Sequence, residues 1–260
     1  MNDVFDFSSA TAVVVGGATG LGRAMAEGLA AHGARVCVVS RTHANAQAVA
    51  DEFGARFEGR ASACAVDLAS EVSVNGLGDA LGAQFAGRLN IAVNAAGINI
   101  RNPIDDISLE EWESIQRVNS TGGFLFARAM HPLLARAGWG RLINITSIFA
   151  SKSFRLRSSY ASSKGALLQL TRTLAIEWAA ENITVNAISP GPFLTDMTRP
   201  ILDDPDSYRR FCESIPLGRF GLPPEIVTAC LFLASPASSF VTGSDILVDE
   251  IGRASCRERV

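Results

Sequence analysis

Apolar residues in this chain come in short, dense runs separated by longer stretches of helical spacing. The runs at 11–15, 35–40, 63–66, 91–94, 141–145, 183–188 and 245–248 are mostly Val, Ile, Leu and Ala, without regular polar alternation. Strands of this kind are expected where helices cover both faces of a sheet, because no side chain then faces water. Between the runs, helices are predicted at 21–31, 44–53, 70–85, 109–137, 160–181 and 224–234. Ser108-x-x-Glu111 forms a capping box opening the long helix at 109–137: the serine can cap backbone N–H groups while the glutamate reaches back. Strand–helix–strand repetition implies an α/β fold, a doubly wound parallel sheet flanked by helices on both faces with right-handed crossovers. Only 195–211 breaks the rhythm. It is polar and turn-rich, with Pro200 and Asp203-Asp204-Pro205, and reads as a mobile flap with short helices over a site.

The chain has 260 residues, 48% hydrophobic and 19% charged, enough for a substantial core and unlike a disordered chain. No repeat or low-complexity linker divides it, so one domain is expected over 1–249. Net charge is −3, and no basic block occurs in the first 250 residues, which argues against nucleic acid or an anionic membrane as partner. The first residues carry no cationic leader, and no apolar run reaches the roughly 20 residues of a membrane helix. Five cysteines are scattered without a CxxC pair, and the three histidines lack ligand spacing, so no metal or disulfide is expected. A reduced, cytoplasmic protein fits these features.

Chemistry first shows in the turn after the first strand, Gly16-Gly17-Ala18-Thr19-Gly20-Leu21-Gly22. Its G-x-x-x-G-x-G spacing lets backbone approach a pyrophosphate at a helix N-terminus, where free N–H groups and the dipole favour negative charge. The second strand ends in Ser40-Arg41 rather than in an acid that would hold ribose hydroxyls. Serine leaves room for a 2′-phosphate and arginine offers charged donors, so NADP(H) is preferred and NAD(H) remains open. Asp67-Leu68, after the third strand, suits either the adenine edge or the cap of the next helix.

Tyr160 and Lys164 stand four apart at the start of a predicted helix, hence on one face. A free phenol has a pKa of about 10, and a nearby cation would lower it toward useful acid–base chemistry. Ser147 follows the strand at 141–145, at the carboxyl end of the sheet where open α/β folds bind ligands. Together with the glycine loop, Asn94-Ala95-Ala96-Gly97, Asn119 and Pro190-Gly191 followed by Thr195, these residues resemble the short-chain dehydrogenase/reductase family over nearly the whole chain. That resemblance implies a single Rossmann-type domain with a catalytic tetrad of Asn119, Ser147, Tyr160 and Lys164. Tyr160 would be the general acid/base, and Ser147 would bind the substrate oxygen. Lys164 would lower the tyrosine pKa and hold the nicotinamide ribose, while Asn119 would support a proton-relaying water. Gly16, Thr19, Gly20, Leu21, Gly22, Ser40, Arg41, Asp67, Leu68, Asn94, Ala95, Gly97, Pro190, Gly191, Phe193 and Thr195 would line the dinucleotide. Two departures, Val15 for the usual Thr and Ala95 for a second Asn, do not touch the chemical step.

The stretches at 96–103, 188–195 and 215–221 look like the gluconate 5-dehydrogenase branch, which implies a small-molecule substrate of the sugar acid or polyol class. Arg101 is the candidate carboxylate clamp, with Arg155 a second choice. Phe149, Phe193 and Met197 are candidates for the pocket wall. An acyl-thioester or diketone reductase, or a non-catalytic NADP(H) sensor, are the competing readings. The resemblance further implies a homotetramer using the helices at 109–137 and 160–181 and the C-terminal strand. Residues 250–260 have no apolar period and look like a translated sequencing adapter, so a non-native tail after Asp249 is expected.

Overall fold

The computed structural model describes residues 4–213 and 215–249. Seven strands form one sheet: β1 (Thr11–Val15), β2 (Arg35–Ser40), β3 (Ala61–Ala65), β4 (Ile91–Asn94), β5 (Gly140–Ile145), β6 (Ile183–Pro190) and β7 (Asp245–Val248). They lie in the order β3-β2-β1-β4-β5-β6-β7, every neighbouring pair parallel. The chain runs outward from β1 to β3, then returns to lay β4 on the other side of β1. That reversal opens a crevice at the carboxyl ends of β1 and β4.

The period-two alternation of a strand divides the core. Ala12 and Val14 of β1 point into one cluster with Met25 and Leu29 of α1 (Gly20–Ala31), Phe53 of α2 (His43–Arg56) and Cys230 of the C-terminal helical region. Val13 and Val15 point into the other cluster. There they meet Leu77 and Leu81 of α3 (Glu71–Gln84) and the later helices α5 (Gly122–Arg136) and α6 (Ser158–Glu177). Both faces are covered, which is why the strand runs lack polar alternation.

The capping box is present: Ser108 N donates to Glu111 Oε2 at 2.9 Å and Glu111 N to Ser108 Oγ at 3.1 Å. The helix it opens is not continuous over 109–137. After α4 (Leu109–Gln116), a π turn spans Arg117–Thr121, with the Gly122 N–H bonded to the Arg117 carbonyl, before α5 begins. Two other predicted helices differ at their ends. The one expected over 160–181 starts at Ser158 and tightens into a 3₁₀ turn at Ala179–Glu181. The one expected over 224–234 begins as a 3₁₀ turn at Pro223–Ile226, where two prolines lack N–H donors, and continues as α9 (Val227–Ala234). Strand β3 lies two residues earlier than expected at its start. Two short helices, α7 (Arg199–Leu202) and α8 (Pro205–Glu213), occupy the turn-rich segment. They close around their own small cluster of Cys212, Ile215 and Phe220.

Among the described residues Cys37, Cys64, Cys212 and Cys230 are free thiols, and no His, Cys, Asp and Glu group could hold a metal ion. No described helix is long and apolar enough to cross a membrane. The segment 250–260, read from sequence as a foreign tail, lies outside the described residues.

Candidate active site

A cavity of about 930 Å³ fills the crevice above β1 and β4. Backbone builds one end of it. Gly16 has φ +77°, and a Cβ there would stand 2.9 Å from the Ala95 carbonyl carbon; a Cβ on Gly22 would come within 2.1 Å of the Gly16 oxygen. The strand-to-helix turn can therefore be this tight only with glycine at both places. Thr19 precedes α1 in extended conformation with no side-chain cap, and the first turn carries no acid. The helix N-terminus thus keeps free donors and an uncompensated positive end. Gly16, Thr19, Gly20, Leu21 and Gly22 all line the cavity, and so do Ser40, Arg41, Asp67 and Leu68 farther out. Thr42 and Asn45, unmarked in the sequence reading, join them there. The Asp67 carboxylate accepts from Ala69 N at 2.9 Å, while Ser70 caps α3 through Ser73 N, so the cap falls to the serine.

Side chains from distant segments build the other end. Ser147 follows β5 in extended conformation, and its Oγ accepts from Phe149 N at 3.2 Å. Tyr160 and Lys164 face the same cavity from α6. Lys164 is only 3% exposed, and its Nζ donates to the Ile145 carbonyl at 2.8 Å. Burial pushes the ammonium down to about 8. Asn119 sits buried in the π turn. Its Oδ1 accepts from Ile98 N at 2.8 Å, and its Nδ2 donates to Ile98 O at 2.9 Å and to Ser163 Oγ at 3.0 Å. A Cβ on Gly97 would stand 3.2 Å from Lys164 Nζ and 3.3 Å from Asn119 Oδ1, so both groups flank that glycine. π turns recur at functional sites because the extra residue re-aims a side chain.

The phenol departs from the sequence expectation. Burial raises the Tyr160 pKa; the Ser147 hydroxyl and the Arg157 guanidinium oppose that shift. The cation that opposes the upward shift is Arg157, three residues earlier, and Lys164 Nζ lies over the ring, 5.9 Å from its centroid.

Most expected site residues meet here: Ala95, Gly97, Arg101, Phe149, Pro190, Gly191, Phe193, Thr195 and Met197 also line the cavity. Two do not. Asn94 is turned beneath it, its Nδ2 donating to Asn144 Oδ1 at 3.4 Å. Arg155 is exposed and away from the lining; Arg157 stands in its place. Between them Leu156 has φ +62°, a left-handed conformation that reverses the chain, and nothing in the residue types announces it. The signal that could have found Arg157 is its spacing of three from Tyr160.

A family model described as enoyl-(acyl carrier protein) reductase matches residues 16–250. The chain is 36% identical over 250 residues to a D-threitol dehydrogenase of Mycolicibacterium smegmatis, covering 94% of each protein. It is also 36% identical to a galactitol 2-dehydrogenase of Cereibacter sphaeroides, covering 95% of this chain and 96% of that one. Among solved structures, a gluconate 5-dehydrogenase from Burkholderia cenocepacia J2315 in complex with NADP and tartrate superposes with a TM-score of 0.91. Its identity is 34%, over 97% of this chain and 98% of that one.

Proposed function

The chain belongs to the short-chain dehydrogenase/reductase family, and on that premise we propose that it interconverts an alcohol and a ketone on a sugar acid or polyol, with NADP(H) as redox partner. One observation carries the reading: Ser147, Tyr160 and Lys164 converge on a cavity whose far end is the glycine loop with Ser40 and Arg41. The residues present fit a dinucleotide. A turn without Cβ atoms and an uncompensated helix N-terminus suit a pyrophosphate, and Ser40 with Arg41 suits a 2′-phosphate. When bound, the nicotinamide supplies or accepts the hydride.

The proton work belongs to the chain. In the reductive direction Ser147 Oγ and Tyr160 Oη donate hydrogen bonds to the substrate oxygen as negative charge grows there. Burial keeps the phenol protonated at neutral pH, so Tyr160 is charged with the proton it must give. Lys164, with a pKa near the working range, can replace that proton. Asn119 fixes both backbone groups of Ile98 beside Lys164, and in this proposal a water held there completes the relay. Oxidation reverses the path.

The polyol and sugar-acid relatives support the substrate class. The matching family model, described for enoyl-(acyl carrier protein) reductase, favours one rival, an acyl-thioester reductase; two arginines at the substrate end, Arg101 and Arg157, favour a polar substrate instead. Absorbance at the nicotinamide band decides between them. Turnover of gluconate-like compounds or polyols with NADP is expected; turnover confined to a β-ketoacyl thioester such as acetoacetyl-CoA would overturn the reading. Retained cofactor binding with no turnover of any of these compounds would favour the sensor.

Three further properties belong to this proposal. A homotetramer is supported by exposed apolar side chains on the expected faces, Phe124 on α5, Ile176 on α6, and Phe232 and Leu247 near the C-terminus. Light scattering at the tetramer mass is expected. A cytoplasmic location is supported by the free thiols and the lack of a membrane-spanning helix among the described residues. The single domain over 1–249 with a foreign tail is supported by the end of the family match at residue 250; a genomic locus encoding 250–260 without adapter sequence would overturn it.

A further inference from the structure

Arg157 occupies an unusual position. It is 9% exposed and lines the substrate end of the cavity, three residues before the tyrosine that handles the proton. A buried guanidinium ordinarily has a carboxylate or several carbonyl partners, because an uncompensated cation away from water is costly. Here Nη1 donates to the neighbouring Leu156 carbonyl at a long 3.4 Å, and Nε is buried with no hydrogen-bond partner. The Phe149 ring lies 5.9 Å from the guanidinium carbon, and the Tyr160 phenol also interacts with its charge.

The second cation makes the position stranger. Arg101 lines the same end of the cavity and repels Arg157. It donates to the Met197 carbonyl at 3.2 Å, tying the segment after β4 to the one before α7. The two acids in the cavity wall are engaged elsewhere: Asp67 holds Ala69 N, and Asp196 pairs with Arg199 at 3.0 Å. Among the described residues no ion pair includes Arg101 or Arg157.

We propose that Arg157 is the anchor for a carboxylate on the substrate, with Arg101 as the brace that holds the flap against it, so that the enzyme prefers a hydroxy or keto acid to the corresponding neutral polyol. The proposal rests on the alcohol–ketone reading of the site and deepens it. A carboxylate there supplies the missing acceptors of Arg157 and offsets the repulsion between two guanidiniums. It also sets the distance from the acid group to the reacting carbon, because Arg157 stands at the N-cap position of α6, three residues before Tyr160.

D-Gluconate and D-glucitol test this, since they differ at the carboxylate carbon alone. Calorimetric binding to the full chain reads the anchor without turnover. Wild-type protein should bind gluconate tightly relative to glucitol, and Arg157→Met should cut that preference about 30-fold, the worth of a charge-assisted hydrogen bond. Arg157→Lys, which keeps charge but loses the fork, should restore part of the preference; thermal melting checks that both variants fold. The ratio of kcat/KM for the two compounds should fall in step, chiefly through KM for gluconate. No gluconate binding by wild type, or equal weakening of both ligands in Arg157→Met, overturns the anchor. Gluconate binding that depends on Arg157 without any turnover would overturn the alcohol–ketone reading and leave the anchor standing.

Discussion

The two ends of the cavity are made of different material. At the glycine loop the contacts are mostly backbone on backbone, within the turn and against Ala95 after β4. At the substrate end, Ser147, Tyr160, Lys164, Asn119 and Arg157 arrive from three separate segments. Two of them are cations held largely out of water. The first end stabilises the fold as it forms the site. The second end holds its chemistry against the fold, as buried charges do when their partner is a ligand rather than the protein.

The largest effect should come from the chemical end. Tyr160→Phe removes the proton donor but leaves the ring packed, so turnover should fall on the order of 10³-fold. Nicotinamide fluorescence should show the cofactor still bound; a variant that keeps turnover would remove the distinction between the ends.

Gly22→Ala tests the backbone end. A Cβ within 2.1 Å of the Gly16 oxygen must push strand and helix apart. Urea unfolding should show a loss of about 3 kcal/mol, and cofactor affinity should fall with it. An unchanged midpoint would mean that the turn is looser than its geometry.

Lys164 tests the cost of the chemical end through pH. Burial lowers its pKa from 10.5 to about 8, so the folded chain releases a proton that the unfolded chain keeps between those values. The penalty is therefore full below pH 8 and fades as pH rises toward 10.5. Relative to Lys164→Met, wild type should be less stable at pH 7 by about 3 kcal/mol, with the gap narrowing by pH 10. A gap that widens with pH would show the sign to be wrong.

The smallest effect belongs to the rim, where Arg41 is exposed. Arg41→Ala should shift the NADP-over-NAD preference in kcat/KM by about 10-fold. A shift in both cofactors alike would make Arg41 a general contact rather than a phosphate reader.

What could be read from sequence follows the same division. The glycine turn is local, so its spacing together with its place at the first strand–helix junction marked it, and all seven strands announced themselves as apolar runs. The tetrad needed the family resemblance, because Ser147, Asn119 and Tyr160 are distant until the sheet forms. Arg157 was passed over for Arg155, since the left-handed Leu156 between them leaves no mark in residue type. The side-chain direction of Asn94 was not legible because a residue ending a strand can face the crevice or the layer below, and its partner Asn144 lies fifty residues away. The break at Arg117–Thr121 was missed for a subtler reason: a one-residue slip in phase is hard to tell from the ordinary i+3/i+4 spacing of a helical apolar face.

That break sets a phase. An extra residue in a helical turn rotates everything after it by about 100°. The offset decides which side of α5 is inward, with Leu125, Phe126 and Met130 in the core and Phe124 and Arg128 in solvent. Deleting one residue from 117–121 would straighten the helix and turn Phe124 and Arg128 about a quarter turn toward the buried flank. The asparagine beside Lys164 and the hydrophobic register of fifteen downstream residues are thus one inherited unit: an insertion that aims the first cannot be lost without mis-threading the second.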